Sequence, residues 1–258
     1  MICSTRALFF TLLFAAAPVH AVGPNNNLND TGVTLFGDAT SNALTKEPVT
    51  HPGQDASFGR DAAAKAGALA KVGAGAKGFD FTKIANNGTA LSAGASLGTA
   101  SGAWGCTYDN VTGLLWEVKV SDPSHLRYMS HSYTWYDANP ATNGGDAGTS
   151  SGGSCRTSGR CNTEKFVQDV NSAGLCGHSD WRLPSVGELA SIVDYGIASP
   201  GPTIETGYFP NTPGSYFWSA SANAYYSGYA WNVNFNYGDT GNSSKYNILQ
   251  VRLVRAGQ

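Results

Sequence analysis

The sequence predicts an α+β fold in which antiparallel sheets, two short helices and long loops surround one core. The chain has 258 residues, of which 32 are glycine and only 13% are charged, a composition typical of a protein rich in turns. Two segments carry helix-start signals followed by apolar residues at helical spacing, whereas the C-terminal part alternates with a period of two. This length is sufficient to bury one substantial core.

Residues 1–21 have the pattern of a secretory signal peptide. Arg6 supplies a positive charge, Ala7–Ala17 are mostly apolar, and Val19-His20-Ala21 form a small-residue cleavage site, so the mature chain is expected to begin at Val22. No later apolar run has spanning length, so we expect no direct membrane insertion after cleavage. The net charge of -2 gives no reason to expect a nucleic-acid partner.

Residues 22–100 are predicted to form a Gly/Ala/Asn-rich N-terminal extension that is only partly ordered. Val22–Asn42 has the composition of a flexible leader, and Asp61–Lys71 favours a short helix interrupted by glycine. The alternation and turn signals of Phe79–Leu91 predict a hairpin. We place the domain boundary near Ser101, with the ligand-binding domain at 101–258.

The first half of that domain is predicted to contain strands, a long loop and a helix. A strand opens at Trp104, a second covers Leu114–Lys119, and Asn139–Gly159 is a glycine-rich surface loop. Thr163 is the expected N-cap of a helix that ends at Gly174, with Phe166 on its buried face.

The second half begins with another helix and continues as strands. Ser185 and Glu188 have capping-box spacing, and the helix that follows is expected to end near Gly196. Tyr229–Asn236 alternates, which predicts an apolar inner face and an outer face of Ala230 and amides. Leu249–Arg255 is predicted to be the last strand.

The cysteines indicate an oxidising compartment. If Cys3 leaves with the signal peptide, Cys106, Cys155, Cys161 and Cys176 remain, and four cysteines allow three disulfide connectivities. The short spacing of Cys155 and Cys161 favours a small closed loop, which leaves Cys106 to pair with Cys176. A tetrahedral zinc site is the competing use, but no CxxC pair or His-x3-His spacing accompanies these residues.

The segment Tyr216–Gln250 contains six of the twelve tyrosines, together with six asparagines and five serines. Tyrosine gives large amphipathic contact area at low entropic cost, and serine and asparagine give adaptable hydrogen bonding. Only Asp239 and Lys245 carry charge, and a catalytic site needs titratable groups in defined geometry. The segment therefore predicts a binding face, with no cofactor, no metal and no enzymatic activity.

Several motifs resemble those of the Lcl C-terminal-like domain family, named for the end domain of a collagen-like bacterial adhesin. They are Asp109–Glu117, Leu175–Ser185 with Glu188-Leu189, Tyr216–Ser219 and Val251–Arg255. The resemblance covers roughly residues 104–258, and its most specific block runs from Trp181 to Leu189. It implies a C-type-lectin-like fold, with two helices flanking a twisted antiparallel sheet, on a secreted, periplasmic or cell-surface-associated bacterial protein.

The C-terminal segment also resembles the variable regions of proteins diversified by retroelements, which mutate adenines in templates rich in asparagine codons. Trp218–Ser221, Ala230–Phe235, Lys245 and Val251–Arg255 look like the fixed posts of such regions. The resemblance implies that the ligand, a protein or glycan on another cell or surface, is contacted by diversified positions. These positions are Asn223, Tyr225, Tyr226, Tyr229, Asn232, Asn234, Asn236, Tyr237, Asp239, Asn242, Ser243, Ser244, Tyr246 and Asn247.

Two other functions compete with a diversified binder. A surface module of fixed specificity, such as an adhesin or glycan-binding domain, would explain the same composition. Formylglycine-generating enzymes share a C-type-lectin-like core, but their chemistry needs reactive cysteines late in the domain, and none follows Cys176. We further expect Arg182 to form a buried bridge to a carboxylate or a carbonyl, and Trp218 either to fill the core or to line the ligand surface.

Overall fold

The computed structural model describes residues 27–257, so the predicted signal peptide lies outside the described residues. The fold is α+β, as predicted, with three helices and three antiparallel sheets in the described part. The helices are α1 (Gly59–Lys65), α2 (Thr163–Ser172) and α3 (Val186–Ala190). The strands are β1 (Phe81–Ala85), β2 (Ala90–Leu91), β3 (Trp104–Asp109), β4 (Leu114–Glu117), β5 (Ser132–Thr134), β6 (Gly153–Ser154), β7 (Tyr216–Ala222), β8 (Tyr229–Asn234), β9 (Asp239–Ser244), β10 (Ile248–Leu249) and β11 (Val254–Ala256).

The largest sheet has the strand order β11-β4-β3-β1-β2. The predicted hairpin β1–β2 is therefore part of this sheet, and Phe79 and Phe81 are buried in the same core as Trp116 and Phe217. A boundary near Ser101 would cut through the sheet, so the prediction of a separate extension is wrong for residues 79–91. The side chain of Phe81 explains why, since it packs against Tyr208 and Phe209 and would be exposed in an isolated hairpin.

The segment before α1 is also packed against the body of the protein. Phe36 is buried and pairs with Leu44, and the backbone carbonyl of Thr31 accepts a hydrogen bond from the amide of Tyr195. The prediction of a flexible leader is therefore wrong for residues 27–42.

The sheet β7-β8-β9 has a core on each side of β7 and β8. On one side, Phe217 and Val233 belong to the same core cluster as Leu189 of α3. On the other side, Trp218 and Ala230 pack with residues that include Trp135 and Trp181. Trp218 is fully buried, so of its two predicted roles the structure supports the one in the core.

This two-sided packing corrects the predicted orientation of β8. Ala230, Asn232 and Asn234 are all buried, so the amide side of the strand faces the interior. On the other side Val233 is buried, but Tyr229 is 40% exposed because α3 covers only the far end of the strand.

Both predicted helices are present, with different ends. The N-cap of α2 is Asn162, whose side chain accepts a hydrogen bond from the amide of Lys165, and not Thr163. The capping box of Ser185 and Glu188 is confirmed, but α3 ends at Ala190, before the predicted end near Gly196. The predicted last strand is divided into β10 and β11, which belong to different sheets.

Two disulfides, Cys106–Cys176 and Cys155–Cys161, confirm the predicted pairing. The first joins β3 to the short 3₁₀ helix Leu175–Gly177, and the second closes a seven-residue loop. Among residues 27–257, no helix is long and apolar enough to cross a membrane.

Candidate functional site: a tyrosine face at one end of the β7-β8-β9 sheet

The loop between β7 and β8 is shaped by Asn223 and carries three exposed tyrosines. The side-chain oxygen of Asn223 accepts hydrogen bonds of 2.9 Å from the amides of both Tyr225 and Tyr226. Its backbone amide donates to the carbonyl of Tyr229, and the amide of Tyr229 donates to the carbonyl of Tyr226. Asn223 is only 7% exposed, so it is a structural residue of this loop and not an exposed contact residue.

The three rings form a continuous aromatic surface. Tyr225 and Tyr226 are edge to face with ring centroids 4.7 Å apart, and Tyr226 and Tyr229 are 5.8 Å apart. Their exposed fractions are 84%, 57% and 40%. Aromatic rings of this size that remain in water offer a large apolar area, and each hydroxyl can still donate or accept a hydrogen bond.

Lys245 fixes this loop to a second loop, residues 137–148. Its ammonium group is buried, donates to the backbone carbonyls of Asn143 (2.8 Å) and Asp146 (2.6 Å), and lies 4.2 Å from the ring centroid of Trp135. Its backbone amide donates to the carbonyl of Gly228, next to Tyr229. Burial lowers the pKa of Lys245, and the nearby carboxylates of Asp146 and Asp137 oppose that shift.

Strand β9 extends the surface of the tyrosines along the edge of the sheet. The register pairs Tyr229 with Ser244 and Trp231 with Asn242, and cross-strand partners point to the same side. Tyr246 is 70% exposed in the turn that follows β9. We define the tyrosine face as Tyr225, Tyr226, Tyr229, Asn242, Ser244, Tyr246 and Asn247.

The other predicted contact residues do not all belong to this face. Asn236, Tyr237 and Asp239 lie around the turn between β8 and β9, at the far end of a six-residue strand that is about 17 Å long. Asn234 is buried there, and its side-chain oxygen accepts a hydrogen bond from the amide of Asn236. Exposed Tyr195 lies beside this turn, next to Gly238.

Burial separates the fourteen predicted contact residues into three groups. Eight are exposed: Tyr225, Tyr226, Tyr229, Tyr237, Asp239, Asn242, Tyr246 and Asn247. Three are half-buried: Asn236, Ser243 and Ser244. Asn223, Asn232 and Asn234 are buried, so their prediction as exposed contact residues is wrong. Asn232 lies inside the sheet, where its side-chain amide donates to the hydroxyl of Ser243.

Sequence reasoning missed the loop 137–148 as a neighbour of the tyrosines. Gly144 lies against Ala222, and a side chain at Gly228 would come within 3.7 Å of the Asp146 carboxylate. The alternation of strands gives no indication of this contact, which depends on the buried lysine that joins the two loops.

A surface cavity of about 440 Å³ shares no lining residue with the tyrosine face. Three lysines line this cavity: Lys65, Lys71 and Lys77. The ammonium groups of Lys65 and Lys71 each donate to a backbone carbonyl, and that of Lys77 donates to the carboxylate of Asp194. These contacts give no argument for a ligand in the cavity.

A family model described as the Lcl C-terminal domain matches residues 105–255, well over half of the chain. No curated protein and no solved structure matches the chain.

Proposed function

The chain belongs to the Lcl C-terminal domain family, and from this premise we propose that it is an exported binding protein that recognises a protein or glycan on another cell or surface through the tyrosine face. We propose that the protein is exported, that it is secreted or periplasmic, and that it is associated with a bacterial cell surface. The two disulfides support an oxidising compartment.

The observation that carries the proposal is the fixed aromatic cluster of Tyr225, Tyr226 and Tyr229. Its loop is held by the side chain of Asn223, so little conformational entropy is lost when a ligand binds. Exposed aromatic residues seldom cluster on a surface that has no partner. The side chains of the tyrosine face are neutral, which supports recognition by contact and hydrogen bonding and not catalysis.

We further propose that the exposed positions are diversified by a retroelement. The buried asparagines narrow this proposal, because replacing Asn223 or Asn234 would remove hydrogen bonds that shape the turns. Diversification is therefore confined to the eight exposed and three half-buried positions, while Asn223, Asn232 and Asn234 stay constant with Lys245.

Deep sequencing of this gene across many cells of one source population tests the diversification. We expect substitutions at the eleven accessible codons and none at Trp218, Lys245 or the three buried asparagines. An invariant segment from 223 to 247 would contradict a diversified binder and would favour the competing fixed-specificity adhesin or glycan-binding module.

Replacement of the aromatic cluster tests the binding face. The single variants Tyr225→Ala, Tyr226→Ala and Tyr229→Ala should each reduce binding by about tenfold, since tyrosine is a frequent hot-spot residue, without a change in unfolding midpoint. Binding is measured with labelled protein on a glycan array and on whole bacterial cells. Tyr195→Ala is the matched control, because Tyr195 is exposed beside the turn between β8 and β9, far from the aromatic cluster. A larger loss of binding in Tyr195→Ala than in the other variants would show that the ligand binds at that end of the sheet.

A further inference from the structure

Strand β9 is the free edge of its sheet. β7 lies at the other edge, where the backbone of Gln250 is hydrogen bonded to Tyr216 and Trp218. In the described part of the chain, no strand pairs with β9 except β8. A free edge offers a row of backbone donors and acceptors to another chain.

The pairing with β8 determines which backbone groups of β9 point outward. Lys245 donates its amide to Gly228, so the hydrogen-bonded positions alternate from there along the strand. The amides and carbonyls of Thr240 and Asn242, and the amide of Ser244, then point away from β8. The carbonyl of Ser244 already accepts from Asn247. Five backbone groups are thus available in a regular row.

Apart from the charge of Asp239 at its start, this edge lacks the features by which proteins usually protect such strands. Its sequence, Asp-Thr-Gly-Asn-Ser-Ser, contains no proline and no lysine, and its six-residue pairing with β8 has no register shift. The outward positions carry short side chains, and both Thr240 and Asn242 are exposed. An approaching backbone therefore meets no bulky group.

The charges around the edge favour a cationic partner. Asp239 is exposed at the start of β9, and the Asp146 carboxylate lies beside Gly228, near the other end. The ammonium group of Lys245 is buried, and its hydrogen bonds in the described part of the chain go to backbone carbonyls and not to these carboxylates. The exposed faces of Tyr226 and Tyr229 can in addition receive a lysine or arginine by cation–π attraction.

We propose that β9 binds an extended, lysine- or arginine-containing segment of a protein partner as an additional antiparallel strand. This inference rests on the proposed function and assigns its ligand to the proteins and not to the glycans. Backbone hydrogen bonds to Thr240, Asn242 and Ser244 would give affinity that does not depend on the partner's sequence, whereas the tyrosines and the two carboxylates would select its side chains.

A linear dodecapeptide library displayed on phage and selected on the wild-type protein supplies the probe. We expect basic peptides, and the tightest of them is synthesised and measured by calorimetry against two variants. Thr240→Ala, outside the tyrosine face, keeps the outward amide and should bind within about twofold of wild type. Thr240→Pro removes that amide without removing a bond to β8, so it should bind about tenfold more weakly.

A second measurement leaves the protein unchanged, in case Thr240→Pro fails to fold. N-methylation of the peptide at successive residues should weaken binding at every second residue and have little effect at the residues between. Equal effects at all positions, or equal binding by the proline and alanine variants, would overturn strand addition. If Tyr226→Ala still weakens binding about tenfold in that case, the proposed function stands and only the mode of binding is wrong. A dimer of the free protein that forms through β9 would assign the edge to a second copy and also overturn the proposal.

Discussion

At the scale of single residues, Glu188 holds together the most specific sequence block, residues 181–189. Its carboxylate accepts two hydrogen bonds from Arg182, at 2.7 and 2.8 Å, and a third from the amide of Ser185. Of the two acceptors predicted for Arg182, a carboxylate or a carbonyl, the structure shows both, in Glu188 and Leu183, but the Arg182 side chain is 46% exposed and so is not buried as expected. Burial disfavours ionisation of Glu188, yet Arg182 and Ser185 together lower its pKa below 4.5.

Replacing Glu188 by glutamine should therefore reduce stability in a pH-dependent way. The carboxylate has a folded pKa below its unfolded value, so its stabilisation is complete above pH 4.5 and is lost as the pH falls through the folded pKa. We expect Glu188→Gln to lower the free energy of unfolding by on the order of 1 kcal/mol at pH 7, because the exposed arginine is screened by solvent. At pH 3 the difference from wild type should be smaller. Urea unfolding at both pH values measures it, and a difference that grows at pH 3 would contradict the argument.

At the scale of elements, the tyrosine face depends on two loops that are distant in sequence and joined by one buried side chain. Lys245 contacts the carbonyls of Asn143 and Asp146 from about one hundred residues away. A buried ammonium group is costly to desolvate, so it is retained where its hydrogen bonds fix a conformation. Here it positions the loop 137–148 beside the tyrosines.

Lys245→Met should loosen both loops. The substitution leaves two inward-facing carbonyls without their donor, at a cost of about 2 kcal/mol. Hydrogen exchange followed by mass spectrometry should show faster exchange in residues 139–148 and 224–228, with little change in β3 and β4. Lys165→Met is the matched control, since Lys165 donates to a single carbonyl, that of Gly159, at the surface. Equal exchange in the two variants would show that Lys245 does not hold the loops.

Local signals in the sequence were sufficient for several elements and failed where tertiary packing decides. The capping box at Ser185 and the small loop closed by Cys155–Cys161 follow from short-range spacing, and the pairing of Cys106 with Cys176 then follows by elimination. Alternation in β8 was predicted as well, but the pattern could not show that the amides face inward. That orientation arises because Trp218 and Ala230 face a second core, which no periodicity reveals. For the same reason, the sequence pattern predicts contact residues at Asn223, Asn232 and Asn234, which the structure buries.

At the scale of the whole molecule, the two disulfides constrain very different lengths of chain. Cys106 and Cys176 are 70 residues apart and join the large sheet to the segment before Trp181, whereas Cys155 and Cys161 are six apart. A crosslink restricts the unfolded chain more when the loop that it closes is longer.

Removing each disulfide by paired alanine substitutions should therefore have unequal effects. From these loop lengths, the loss of Cys106–Cys176 should cost about 4 kcal/mol and the loss of Cys155–Cys161 about 2 kcal/mol. Chemical denaturation of the two double variants measures both values. The reverse order would mean that local packing, and not chain entropy, dominates these crosslinks.

The two ends of the segment from Phe217 to Gln250 lie side by side in the structure. The amide of Trp218 donates to the carbonyl of Gln250 at 2.8 Å, so the chain enters and leaves this segment at adjacent points of the core. The exposed loops between these two ends can therefore change in sequence, while the buried side chains of the segment, such as Ala230 and Val233, have to stay in the core. A combinatorial library of this protein would place its random codons in the exposed loops. It would keep the two ends of the segment, the buried asparagines and Lys245 constant.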